Sequence, residues 1–261
     1  MTVKKTFIIF ICLLLGYCAS SQKKMQKERD NSPRYQYNLG IFYLNNGQLD
    51  QSIIHLNKTI TLKSDYALAY DGLGLVYLMK GELDKSVNNF KKCLAIDATI
   101  TDAHNHLGSV YQEMGILDKA ELEFLTAIND KSYHSRELPY YNLARLYQIQ
   151  ENLPKALESI NQAIIINKRY IMAHNLKALI FEQLEKFEDA IKCYQTALDL
   201  VKKYSLDDTN SKITLQYNLA GAYFKNKEFN KAKQIFIEIQ SLATSDEMKA
   251  NITKYLNMIK Q

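Results

Sequence analysis

From about residue 33 onward, apolar and small residues recur at spacings of three, four and seven, the rhythm of amphipathic helices. A longer period organises that rhythm. Asn38-Leu39-Gly40-x-x-Tyr43 returns as Gly72-Leu73-Gly74-x-x-Tyr77 and His106-Leu107-Gly108-x-x-Tyr111, 34 residues apart each time. It continues as Asn142-Leu143-Ala144-x-x-Tyr147 after 36 residues, Leu176-Lys177-Ala178-x-x-Phe181 after 34, and Asn218-Leu219-Ala220-x-x-Tyr223 after 42. Twelve residues beyond each Gly or Ala stands another small residue: Ser52, Ser86, Ala120, Ala156, Ala190 and Ala232. Four further on is a large one (Leu56, Phe90, Phe124, Ile160, Tyr194, Phe236), and three beyond that Thr59, Cys93, Ala127, Ala163, Ala197 and Ile239.

Each unit therefore predicts two helices whose small residues let the backbones approach, with the Tyr filling the space beside them. Gly47, Gly81 and Gly115 fall between the two helices, where a helix ends in a left-handed residue. Pro154 falls near the start of a second helix, where its missing N–H is of no consequence. A hairpin of this length cannot bury its own apolar face, so the units are expected to stack. The expected fold is all-α: a right-handed superhelical solenoid of six helix hairpins over residues 33–241, closed by a capping helix within 242–261. That last helix places Met248, Ile252, Tyr255, Leu256 and Ile259 on one face. Residues 18–32 are polar without periodicity and read as a flexible tether.

Composition narrows the function. Three prolines and nine glycines suit helices better than strands joined by tight turns, and 47% hydrophobic residues exclude a disordered chain. The net charge of +5 is spread among interspersed Lys and Glu, without the concentrated basic stripe that nucleic-acid binding requires.

Candidate chemistry is sparse. His104 and His174 occupy the position held by Gln36, Tyr70, Tyr140 and Gln216 in other units and read as packing residues, while His55 and His134 stand alone. His104 and His106 point in different directions around one helix, which disfavours joint metal ligation. Cys93 and Cys193 lie three units apart and are not expected to pair. No phosphate loop, nucleophile elbow or paired carboxylate is present, so no enzyme activity, cofactor or metal is expected.

The first 17 residues read as a signal peptide: Lys4 and Lys5, an apolar run from Phe7 to Leu15, then small residues. The run is short of the roughly 20 residues that span a bilayer. Leu15-Gly16-Tyr17-Cys18 resembles the bacterial lipobox, with Tyr17 where Gly or Ala is usual. The resemblance implies lipidation of Cys18; the alternative is ordinary cleavage after Ser20, giving a soluble periplasmic protein. Ala19 and Ser20, without Asp, resemble the sorting signal for the outer membrane.

The repeat itself resembles the tetratricopeptide repeat in six copies, with Ser64, Ala98, Ser132 and Lys168 where that family usually has a terminal proline. The family binds partners on the concave face of the first helices. Carried over by position, unit one presents Arg34, Tyr37, Ile41, Leu44 and Asn45, and unit two Leu68, Asp71, Leu75, Leu78 and Met79. Unit three turns polar with Asp102, Asn105, Ser109, Gln112 and Glu113. The expected partner site is the apolar floor of Tyr37, Ile41, Leu44, Leu75, Leu78 and Met79, suited to an amphipathic helix or peptide, unless the tether or a second copy covers it. Tyr37 and Ile41 replace the Lys and Asn of the carboxylate clamp found in chaperone-binding repeats.

In layout the chain resembles the pilotin lipoproteins of type IV pilus systems, including a Tyr-containing spacer at Asn129 to Arg136 that is two residues longer than the repeat needs. This resemblance implies a non-enzymatic, lipid-anchored protein at the periplasmic face of the outer membrane, whose partner is a secretin subunit that it helps to assemble. The competing expectation is a general envelope scaffold that organises cell-wall or secretion machinery.

Overall fold

The computed structural model describes residues 27–204 and 209–259, and every regular element among them is a helix. The expected signal peptide, Cys18 and Ser20 lie outside the described residues. Residues 27–30, within the expected tether, take helical backbone.

The helices follow the repeat in pairs: α1 (Pro33–Asn45) with α2 (Leu49–Leu62), α3 (Ala67–Met79) with α4 (Leu83–Ile96), α5 (Thr101–Glu113) with α6 (Leu117–Asn129). Then come α7 (Glu137–Ile149) with α8 (Leu153–Ile166), α9 (Ile171–Gln183) with α10 (Phe187–Lys203), α11 (Thr209–Lys225) with α12 (Phe229–Gln240), and finally α13 (Asp246–Ile259). The chain divides into two compact units, Met1–Glu123 and Phe124–Gln261. Within the first, α3 packs on both α1 and α2, and α5 on α3 and α4; within the second, α9 packs on α7 and α8, α11 on α10, and α13 on α12. The eight extra residues between repeats five and six lengthen the flanking helices, since α10 and α11 run to 17 residues each.

The three repeat positions on the second helix form the core. All of Ser52, Leu56, Thr59 and their equivalents through Ala232, Phe236 and Ile239 are at most 1% exposed. Close approach explains the small residues on the first helix. A β-carbon on Gly74 would stand 2.5 Å from the Phe90 ring, and one on Gly40 2.7 Å from Leu56. The Ser52 hydroxyl donates to the Gly40 carbonyl (2.8 Å) and that of Ser86 to Gly74 (2.7 Å), so both buried hydroxyls are satisfied within their hairpins.

One turn joins the two helices of every repeat. In the first, Gly47 N–H donates to Leu44 C=O and Gln48 N–H to the carbonyl of the recurrent Tyr43, the paired bonds of a Schellman motif. The same pair of bonds closes the other five hairpins, onto the carbonyls of Tyr77, Tyr111, Tyr147, Phe181 and Tyr223. Its left-handed residue is Gly47, Gly81 or Gly115 in three repeats, and Glu151, Glu185 or Lys227 in the others. Turns between repeats use a different device. Where the family has proline one position later, the Asp97 carboxylate accepts from Thr99 N–H (2.9 Å) and hydroxyl (2.6 Å), and Asn167 Oδ1 accepts from Arg169 N–H (3.1 Å). These side-chain turns fix the chain as a proline ring would. Asn152 caps α8 by accepting from Lys155 N–H, with Pro154 in the first turn.

In the second unit, α13 buries Ile252 and Leu256 in a core that includes Tyr194, Phe236 and Ile239, with Met248, Tyr255 and Ile259 packed at its edge. Tyr255 stacks on Phe236, centroids 5.0 Å apart.

Candidate partner-binding face

Helices α1 and α3 carry the residues expected to meet a partner. Their depth varies. Leu44 is 7% exposed and belongs to the core with Leu56, Ala69, Leu73 and Val76, so it supports the surface instead of lining it. The expectation for Leu44 is thereby corrected: its position in the repeat fixes the direction of its side chain around α1, but α2 and α3 enclose it. Tyr37, Ile41 and Leu75 are half-buried at the edge of the same core, and Leu78 is half-buried as well. Met79 is 60% exposed and Leu68 40%, the most exposed of the apolar residues on this face.

Tyr37 lies against Tyr66, centroids 5.2 Å apart, and burial, with the nearby Asp71 carboxylate, pushes its hydroxyl up to about 12. It stays neutral at physiological pH and presents an apolar body with a polar tip. Asp71 borders the apolar strip on α3 and pairs with His106 of α5, Nδ1 to Oδ1 3.0 Å. The strip thus changes from apolar to charged at the next repeat, where Asp102 is exposed but Asn105 is buried. Such a surface gains by burying aliphatic and aromatic groups and selects at its border by charge.

Histidines and cysteines take structural partners. His104 Nδ1 donates to Glu123 (2.6 Å), and His174 Nε2 lies 3.0 Å from the Lys168 carbonyl. His55, expected to stand alone, donates to Gln36 Oε1 (2.7 Å) and stacks on Tyr43, centroids 5.1 Å apart. Burial first, then Lys58, lowers its pKa. Cys93 and Cys193 are free, and burial raises both thiols, that of Cys93 to about 12, which keeps them un-ionised and poorly nucleophilic. Among the described residues no group of three or more His, Cys, Asp or Glu could hold a metal, and no helix is long and apolar enough to cross a membrane.

A recurrent contact escaped sequence reasoning. The ammonium of Lys85, Lys119, Lys155 and Lys231 stands 5.0–5.5 Å from the ring centre of the recurrent Tyr77, Tyr111, Tyr147 and Tyr223. The signal lay in the register, eight residues from Tyr to Lys in each of these repeats. It also missed a cavity among α6, α7 and α8.

Consecutive helix hairpins with small residues at the crossings define a helical-repeat scaffold that works by binding proteins. Family models described as tetratricopeptide repeat match residues 33–66, 67–100 and 168–245, together more than half of the chain. The chain belongs to the tetratricopeptide-repeat family. Neutrophil cytosol factor 2 of Bos taurus is 29% identical over 122 residues, 43% of this chain and 22% of that protein, so the chain spans about a fifth of that relative's length. Among solved structures, pilF of Pseudomonas aeruginosa is 18% identical, with a TM-score of 0.70 over 87% of this chain and 99% of that one. PilW, a widely conserved type IV pilus biogenesis factor, is 14% identical, with a TM-score of 0.73 over 84% and 98%. At these identities the likeness is one of fold.

Proposed function

We propose that this chain is an exported, lipid-anchored, non-catalytic binding module that assists assembly of a type IV pilus secretin at the outer membrane. The observation that carries this reading is the extent of the fold likeness, which takes in 99% of pilF and 98% of PilW instead of a fragment of either. The Leu15 to Cys18 segment supports it by supplying a thiol for a lipid at the end of an apolar leader. The partner lays an amphipathic helix against Tyr37, Ile41, Leu75, Leu78 and Met79, and Cys18 holds the module at the membrane.

Deleting the gene and following secretin multimers in outer-membrane fractions tests this. Multimers should be lost while monomers accumulate, and wild type should restore them. Cys18→Ala should restore them poorly, and Met79→Asp, at an exposed position, should weaken secretin capture about tenfold, or 1.4 kcal/mol. Unchanged multimers after deletion would remove the pilus role and leave an envelope scaffold.

A further inference from the structure

The cavity among α6, α7 and α8 has a volume of about 470 Å³, within the roughly 300–1,000 Å³ typical of ligand sites. It belongs to repeat positions other than those of the first-helix strip, and two of the repeats close the equivalent place with a side-chain pair. In repeat one Gln36 and His55 bridge the two helices directly, and in repeat three His104 and Glu123 do so. The equivalent pair in repeat four is Tyr140 and Ser159, and serine is too short to reach across. The spacer before α7 is also two residues longer than the 34-residue period needs. One wall is apolar, built by Leu125, Ile128 and Leu143. Leu125 stands where repeats one, two, four and five have Asn57, Lys91, Asn161 and Gln195, and it remains 38% exposed.

The rest of the lining carries polar groups. Ser159 is 6% exposed, and its hydroxyl has no partner among the described residues; nor do the Tyr140 hydroxyl and the Gln162 amide. No fully enclosed side-chain polar atom among the described residues lacks a partner, so the Ser159 hydroxyl opens onto the cavity. Lys155 and Glu158 add one charge of each sign, leaving the lining neutral. A phosphate or other anion finds no net attraction here. An amide backbone does fit: Gln162 offers both donor and acceptor, the hydroxyls offer either, and the aliphatic wall receives one side chain.

We infer that this cavity is a second binding site, taking an extended peptide segment with one aliphatic side chain seated against Leu125, Ile128 and Leu143. The inference goes beyond the secretin reading and stands independently of it. Titration of the methyl-labelled full chain with N-acetyl-Ala-Leu-Ala-amide, followed by NMR, is the test. The methyls of Leu125, Ile128 and Leu143 should shift in a saturable manner, and N-acetyl-Ala-Ser-Ala-amide should shift them far less. The double variant Tyr140→His with Ser159→Glu imports the closing pair of repeat three and should abolish the shifts. Leu125→Gln, which introduces the residue that repeat five carries at that position, should reduce them with the melting temperature kept, so that a folding defect in the double variant cannot mimic the result. Shifts confined to Leu68, Leu75 or Leu78, no saturable shift at all, or equal shifts in the double variant would overturn the proposal. So would an N-acetylglucosamine trimer that moves the three methyls where the peptide does not.

Discussion

Gly47, Gly81 and Gly115 adopt φ of 70–73°, and Glu151, Glu185 and Lys227 adopt 58–62° at the same point of the hairpin. A side chain there brings its β-carbon against the following carbonyl, at about 1–2 kcal/mol per residue. Glycine avoids that but loses more chain entropy on folding, about 0.5–1 kcal/mol. Glu185→Gly should therefore stabilise the protein by up to about 1 kcal/mol, and Gly47→Ala should destabilise it by a similar amount. A β-carbon on Gly47 would meet nothing within 4 Å, so backbone strain alone sets the sign. Urea unfolding reads both, and a lower midpoint for Glu185→Gly would contradict the account. The glycine turns were legible because glycine announces a left-handed residue. Glu151, Glu185 and Lys227 carry no such mark, yet each lies seven residues after the small residue of its repeat, as the three glycines do. Leu44 shows the converse limit: register gives the direction of a side chain and says nothing of what covers it.

At the scale of the element, helix existence was legible and helix ends were less so. Apart from Ser32, Asn152 and the Ser245 hydroxyl, which accepts from Met248 N–H before α13, few side chains cap these helices. The N-cap positions of α2, α4 and α10 hold Gln48, Glu82 and Lys186, none of which caps its helix by its side chain. Their ends are set by the Schellman turns and by packing, which local propensity does not reveal. The missing prolines illustrate the point, since Asp97 and Asn167 do their work through side-chain turns that the repeat pattern leaves unmarked. Helix α13 offers a sharper test of packing. Ile252 is fully buried on a core with Phe236 and Tyr194, and a solenoid element is stabilised only by its neighbours. Ile252→Ala should cost about 2–5 kcal/mol locally. Hydrogen exchange should accelerate in α11 to α13 and stay unchanged in α1 to α3. Uniform acceleration throughout would mean that the chain unfolds as one block.

At the scale of the whole molecule, the two breaks in the 34-residue period were visible in the sequence, but their consequences were not. The extra eight residues went into longer helices, and the extra two precede α7, whose Tyr140 and Leu143 line a cavity with Ser159 of α8. Tyrosines occur in both units, and their burial links the fold to pH. Burial, then Asp71, pushes Tyr37 up to about 12; burial, then Tyr141, pushes Tyr170 to about 12; and burial raises Tyr194 further, aided by Glu182. An unfolded tyrosine ionises near 10. Between pH 10 and 12 the unfolded chain thus sheds protons that the folded chain keeps, and by linkage stability falls as pH rises. The tyrosine contribution is fully present below pH 10 and declines above it. Melting temperatures followed by circular dichroism should show a tyrosine-linked fall above pH 10, with tyrosinate absorbance appearing as helix is lost. Tyr37→Phe with Tyr170→Phe should flatten that fall, because phenylalanine keeps the ring and has no proton to lose. An unaltered slope in the double variant, or full tyrosinate absorbance while the helices persist, would show that these hydroxyls are open to solvent in the folded chain.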